Sequence, residues 1–186
     1  MDGETDAELM RRVKRGEKAA FGALVDRYKA AMVSYLRRMT GSRDRADELA
    51  QEAFVRLYVA TPECPEPGRL APWLYRTATN LVRSEERRAL RWRLFRLAAR
   101  ANGVAAQGGQ EAELLAAEAG RRLEAALAAL PVRYRAPLVL HEIEELPLGE
   151  IARLLGCAEG TVKSRISRAR ARLRHALAPY WNGEES

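Results

Sequence analysis

Rings and thiols are scarce in this chain: aromatic residues make up 6% of its 186 positions, and it has two cysteines and two histidines. A composition led by alanine and leucine favours helices over sheets, because strands draw on β-branched and aromatic side chains. Cys64 and Cys157 cannot build a disulfide framework or a four-ligand zinc site, and they fit a reducing compartment as free thiols. No uncharged apolar run approaches the ~18 residues of a membrane span. Ala125–Val132 is short and contains Pro131. The opening MDGETDAEL is acidic and lacks an apolar stretch, so no secretory leader is expected. These absences point away from secreted, membrane-spanning and collagen-like classes. The expected location is cytoplasmic, with no direct membrane insertion. The length suffices to bury a core without disulfide or metal staples.

Recognisable catalytic chemistry is missing too. There is no phosphate-binding loop, nucleophile elbow or dinucleotide fingerprint. His141-Glu142-Ile143-Glu144-Glu145 begins like a zinc-protease motif, but Glu145 stands where the second histidine is needed. His175 is isolated. The expectation is no catalytic residue, no metal, no cofactor, no small-molecule substrate and no enzyme activity.

What the chain does have is positive charge. Thirty-two Lys and Arg stand against 25 Asp and Glu, for a net charge of +7, which favours a polyanionic partner. Its distribution says more. Residues 161–178 hold six cations (Lys163, Arg165, Arg168, Arg170, Arg172, Arg174) and no carboxylate, and residues 1–95 hold 19 basic and 14 acidic groups. Arginine predominates, and its planar fork can grip phosphates and guanine edges with paired hydrogen bonds.

Apolar residues recur at helical spacing nearly throughout. Leu9 and Val13 lead to Gly16. Phe21, Leu24, Val25, Tyr28, Met32, Tyr35, Leu36 and Met39 form a long stripe, broken at Thr40-Gly41-Ser42, and Ala46–Leu57 carries the next. Residues 61–68, with three prolines and a glycine, read as a stiff loop. A long helix is expected from about Pro72. Residues 101–110, Gly-rich and uncharged, read as a flexible linker. Beyond it, Leu123, Ala126, Leu127 and Leu130 form a stripe ending at Pro131, a short helix spans about Tyr134–Glu144, and Pro147 opens a last pair.

In that pair, Leu148, Ile151, Ala152 and Leu155 face inward on a helix stopped by Gly156. Val162, Ile166, Ala169, Leu173 and Leu177 mark the inner face of the next. Ser164, Ser167 and Ala171 fall opposite, between two basic edges, a shape that can enter a major groove. This favours a helix-turn-helix over a basic amphipathic helix lying on a membrane or partner. On the helix from Pro72, Arg76, Asn80, Arg83 and Arg87 line one side. Arg88, Arg91, Arg93 and Arg96 extend the positive track beside Trp92 and Phe95. Cations with rings suit a nucleic-acid strand, although those rings could equally be core residues. The Ala46–Leu57 helix instead exposes Asp47, Glu48, Gln51, Glu52 and Arg56. Such an acidic surface suits a protein partner, or plain solvation, better than DNA.

Four ordered motifs carry a resemblance: Phe21-x-x-Leu24-x-x-Arg27-Tyr28, Asp47-Glu48-Leu49-Ala50-Gln51-Glu52-Ala53-Phe54, Trp73-Leu74-Tyr75-Arg76-Thr77-Ala78-Thr79-Asn80, and Leu155-Gly156-Cys157-Ala158-Glu159-Gly160-Thr161-Val162-Lys163-Ser164-Arg165. Together they resemble the extracytoplasmic-function sigma factors, the minimal class of the bacterial sigma-70 family. The resemblance implies an all-α fold of two small helical domains: region 2 at 6–96 and region 4 at 112–178, joined by a flexible linker at 97–111. It implies core RNA polymerase as partner. Asp47, Glu48, Gln51, Glu52 and Arg56 would dock on the clamp coiled coil, and region 4 would meet the flap tip. It implies promoter DNA as the second partner. Cys64, Arg76, Asn80, Arg83 and Arg87 would capture the melted minus-ten strand, with a base flipped into a pocket. Lys163, Ser164, Arg165, Ser167, Arg168 and Arg170 would meet the minus-thirty-five duplex. An anti-sigma factor is implied as an inhibitor.

Overall fold

A computed structural model describes residues 4–60, 69–99 and 115–181, although the side chains of 92–99, 115–119, 121 and 179–181 lie outside the described ones. The expected loop at 61–68, with Cys64, and the linker at 101–110 also lie outside the described residues. Eight helices follow one another: α1 (Asp6–Lys14), α2 (Lys18–Thr40), α3 (Arg43–Val59), α4 (Leu70–Ala99), α5 (Leu115–Ala129), α6 (Val132–Glu142), α7 (Leu148–Leu155) and α8 (Glu159–Trp181). No strand occurs among the described residues, in line with the all-α expectation.

Local chemistry explains the helix ends. Thr5 and Glu8 cap the start of α1 reciprocally, each side chain bonding the other's backbone N–H, which satisfies two otherwise orphaned donors. Asp6 then ties α1 to α2 through Arg27 at 2.5 Å and the Tyr28 hydroxyl. Helix α2 stops at Gly41, whose left-handed φ of 70° lets its N–H close on the Arg37 carbonyl. Ser42 caps α3 by accepting from the Arg45 N–H at 3.3 Å.

The first half packs α1–α4 around Leu24, Met32, Tyr35, Leu36, Met39, Leu49, Ala53, Leu57, Leu74 and Ala78, all buried. These are the stripe positions expected from the sequence. In the second half α6, α7 and α8 close on Val139, Leu140, Ile151, Val162, Ile166 and Ala169. Each Val, Leu, Ile or Met among these contributes roughly 1.5–3 kcal/mol when fully buried.

Helix α4 begins at Leu70, with Pro72 in its first turn as expected. Two expectations shift. Helix α6 runs Val132–Glu142, starting just after Pro131 and carrying Pro137 within it. Leu123, expected on the buried stripe of α5, is 43% exposed, because Leu127 and Leu130 one and two turns on supply the buried contact.

The halves touch. Arg37 on α2 pairs with Glu124 on α5 at 3.2 Å, and a Cβ at Gly41 would stand 2.9 Å from that of Ala128. Arg135 on α6, 3% exposed, donates to Glu86 on α4 and, at 2.7 Å, to the Ala128 carbonyl. Tyr75 on α4 donates to Glu144 beyond α6.

Candidate functional site

Three exposed surfaces carry the residues singled out by sequence. The first is one face of α4. Arg76, Asn80 and Arg87 are exposed and Arg83 is half-buried, and their four-, three- and four-residue steps keep them on one side. Arg83 donates to the Asn80 side-chain oxygen at 3.4 Å. Arg87 donates to Ser84 at 3.4 Å. The back of the helix fixes this face. The Thr79 hydroxyl is buried, lies 2.7 Å from the Tyr35 hydroxyl and reaches the Tyr75 carbonyl at 2.7 Å. The rings of Tyr35 and Tyr75 meet edge to face at 5.1 Å. Burial pushes both hydroxyls above the ordinary tyrosine range, and at Tyr75 the Glu144 carboxylate adds to the effect. Neutral phenols therefore hold the register of α4.

The α4 face borders two clefts against the second half. Arg76 lines one with Trp73, Glu150 and Arg153, and Arg83 and Arg87 line the other with residues of the α5–α6 turn. Cys64, expected on this surface, lies outside the described residues, as do the side chains of Trp92, Arg93, Phe95 and Arg96.

The second surface is on α3. Glu48, Gln51, Glu52 and Arg56 are exposed and Asp47 is half-buried. Glu52 accepts from Arg56 one turn on at 2.7 Å, and Glu48 accepts from Arg45, which also binds Glu85. The acidic stripe is thus partly neutralised by its own helix. Sequence reasoning missed what stands beside it. Val55 and Val59, 61% and 73% exposed, continue the Glu48–Gln51–Glu52 stripe by helical spacing. Tyr58, also exposed, stacks edge to face on Phe21 at 5.0 Å. The available signal was valine on the polar side of an amphipathic helix.

The third surface is α8. Helix α7 ends at Gly156, whose φ of 64° turns the chain sharply while its N–H bonds the Ala152 carbonyl. Gly156 is needed there because other residues pay for a left-handed backbone. Helix α8 then buries Val162, Ile166 and Ala169, and leaves Lys163, Ser164, Ser167, Arg168, Arg170, Ala171, Arg172 and Arg174 exposed. A small-residue strip between basic edges is what results. Two of the expected DNA-facing arginines are engaged within the protein: Arg165 donates to the Cys157 sulfur at 3.7 Å, and Arg170 pairs with Glu142 at 2.5 Å. Among the described residues no cluster of His, Cys, Asp and Glu could hold a metal ion. Nor is any helix among them long and apolar enough to cross a membrane.

Comparison with known proteins matches the chain to a family. The profile for sigma-70 region 2 matches residues 24–93, and that for sigma-70 region 4 matches residues 120–173. The chain is 35% identical over 176 residues to the ECF RNA polymerase sigma factor SigW of Bacillus subtilis, covering 90% of this chain and 94% of that one. It is 31% identical over 183 residues to the ECF RNA polymerase sigma-E factor of Escherichia coli, covering 94% and 95%. Among solved structures, CnrH in complex with the cytosolic domain of CnrY superposes with a TM-score of 0.65 at 27% identity, covering 95% of this chain and 99% of that one. The sigma factor RpoE in complex with the anti-sigma factor NepR from Bartonella quintana shares the fold, with a TM-score of 0.66 at 24% identity over 85% of this chain and 96% of that one. Helical bundle, helix-turn-helix and sequence thus agree: the chain belongs to the extracytoplasmic-function RNA polymerase sigma factors of the sigma-70 family, which act in transcription initiation.

Proposed function

We propose that the three surfaces divide the work of initiation. The α3 stripe, Asp47 to Arg56 with Val55 and Val59, docks on the clamp coiled coil of core RNA polymerase. Its exposed valines supply apolar contact area, while Glu48 and Glu52 exchange their internal arginine partners for basic groups of the polymerase. The α4 face then takes the melted minus-ten strand. Arg76, Arg83 and Arg87 hold phosphates and Asn80 reads an extruded base, the cost of unstacking being offset by capture of the strand. Cys64, which lies outside the described residues, would border this strand. Helix α8 enters the minus-thirty-five major groove, with Lys163, Ser164, Ser167 and Arg168 nearest the bases and Arg165 and Arg170 at the edges. The remaining surface of the second half meets the flap tip.

The observation that carries this reading is the separation of charge. The exposed face of α8 has cations and small residues with no carboxylate of its own beyond Glu159, while the acidic stripe sits on α3 in the other half. A single duplex-binding regulator has no use for the second. An anti-sigma factor completes the proposal on the strength of family membership.

The test is reconstitution. Purified protein added to sigma-free core enzyme is expected to open promoter DNA, read as permanganate-reactive thymines near the start point. Tight duplex binding without core, and no gain in strand opening with it, would replace this reading with that of a stand-alone helix-turn-helix regulator.

A further inference from the structure

Arginines in the second half are held in two different ways. Arg135 and Arg170 pair with the carboxylates of Glu86 and Glu142. Arg133, Arg168 and Arg172 have no ion-pair partner among the described residues. A ring stands among them instead. Tyr134 is 8% exposed, and its N–H bonds the Pro131 carbonyl at 2.9 Å, which fixes it in the first turn of α6. The Arg172 guanidinium lies 5.1 Å from the ring centroid and that of Arg133 lies 4.8 Å from it. Arg168 stands one turn before Arg172 on α8, and its charge helps to draw the hydroxyl below the ordinary tyrosine range.

The choice of holder matters electrostatically. A carboxylate fixes a guanidinium and cancels its charge. A ring fixes it through its quadrupole and leaves the full charge facing outward. An α8 edge meant for phosphate needs the second kind of support, because flexible arginines lose rotamer entropy on binding. We infer that Tyr134 is a positioning residue for DNA recognition, a ring on α6 that pre-orders Arg172 along the edge of α8 without neutralising it. This rests on the reading of α8 as the duplex-binding helix. It adds a residue that lies outside that helix and that charge counting does not find.

The experiment measures binding of the full chain to a duplex selected by the wild-type protein from a random pool. The variants are Tyr134→Phe, Tyr134→Leu, Arg172→Ala, and Tyr134→Leu combined with Arg172→Ala. Tyr134→Leu should weaken binding about three- to tenfold, the scale of a cation–π contact. Tyr134→Phe, which keeps the ring face, should retain most of the affinity. In the Arg172→Ala background, Tyr134→Leu should cost less than about twofold more, because the group it positions has gone. A general packing defect would not show that coupling. Fully additive losses, or wild-type affinity in Tyr134→Leu, overturn the inference while leaving the α8 reading intact. Unchanged binding in Lys163→Ala, Arg168→Ala and Arg172→Ala together would overturn the α8 reading itself and this inference with it. Should Tyr134→Leu fail to fold, NMR of the wild-type protein decides. Side-chain protons of Arg172 shifted upfield by the ring support the inference, and random-coil shifts refute it.

Discussion

Asn80 is the proposed base reader. Its side-chain oxygen accepts from Arg83, and the register of its helix is locked behind it by Tyr35, Thr79 and Tyr75. Asn80→Ala should therefore slow strand opening more than it weakens initial docking of the holoenzyme, measured by comparing closed-complex affinity with permanganate reactivity. Equal losses in both steps would remove Asn80 from its assigned role. The same buried phenols set a pH limit. Tyr28, Tyr35 and Tyr75 are all pushed above the ordinary value of 10.0, chiefly by burial. A raised folded-state value means the native protein holds these protons more tightly than the unfolded chain. The stability they contribute is complete below pH 10 and is lost as the pH rises beyond it. Urea unfolding should show midpoints falling between about pH 10 and 11, less steeply in Tyr75→Phe. Asn80 was legible in the sequence because its arginine neighbours recur at helical steps. The Tyr35–Thr79 contact was not, because its partners lie 44 residues apart and nothing in either local pattern marks them as a pair.

At the scale of elements, periodicity carried the argument well. The inward stripes of α2, α3, α7 and α8 face the core, although Phe21, Val25, Tyr28, Leu148, Leu155 and Leu173 are only half-buried against it and Leu154 is the buried leucine of α7. Gly156 ends α7 in the left-handed conformation that glycine adopts at least cost. Pro72 sits in the first turn of α4, where its missing N–H has no intrahelical acceptor. Where the sequence misled, amphipathicity had competing meanings. Val55 and Val59 read as ordinary helix formers until their exposure places them beside the acidic stripe. Helix α8 offers the sharpest element-level prediction. Arg168→Ala should cost about 1–3 kcal/mol at one base pair of the upstream element and relax preference there. Substituting Arg174 should instead weaken all duplexes alike and lower the salt dependence by about one phosphate contact. Competition binding across single-base variants, repeated at several salt concentrations, separates the two. A uniform loss in Arg168→Ala would reassign it to the backbone.

Across the whole molecule the two halves rest against each other: one cluster of buried apolar residues runs through both, and they are joined by several polar pairs. Arg135 is the most buried of them, and its Nε has no hydrogen-bond partner. Burial lowers its affinity for its proton, and Glu86, itself 43% exposed, opposes that. The asymmetry predicts unequal mutants. Glu86→Gln leaves a buried guanidinium without its counter-charge and should cost about 1–3 kcal/mol. Arg135→Met leaves only a solvated carboxylate and should cost less. Urea denaturation ranks them, and the reverse order would mean that Arg135 is hydrated. None of these cross-half pairs was visible in the sequence, since each joins residues from separate motifs. The separation of charge on which the proposed division of labour rests was visible, because acidic and basic residues collect on different helices. That division requires the chain to join core RNA polymerase through α3, and an equilibrium titration of the labelled chain with sigma-free core enzyme tests it most directly. The account predicts saturable one-to-one binding that Glu52→Lys with Val55→Glu weakens by at least tenfold, while Lys163→Ala leaves it unchanged. Failure of the wild-type chain to bind, or full affinity in the α3 double variant, would contradict it.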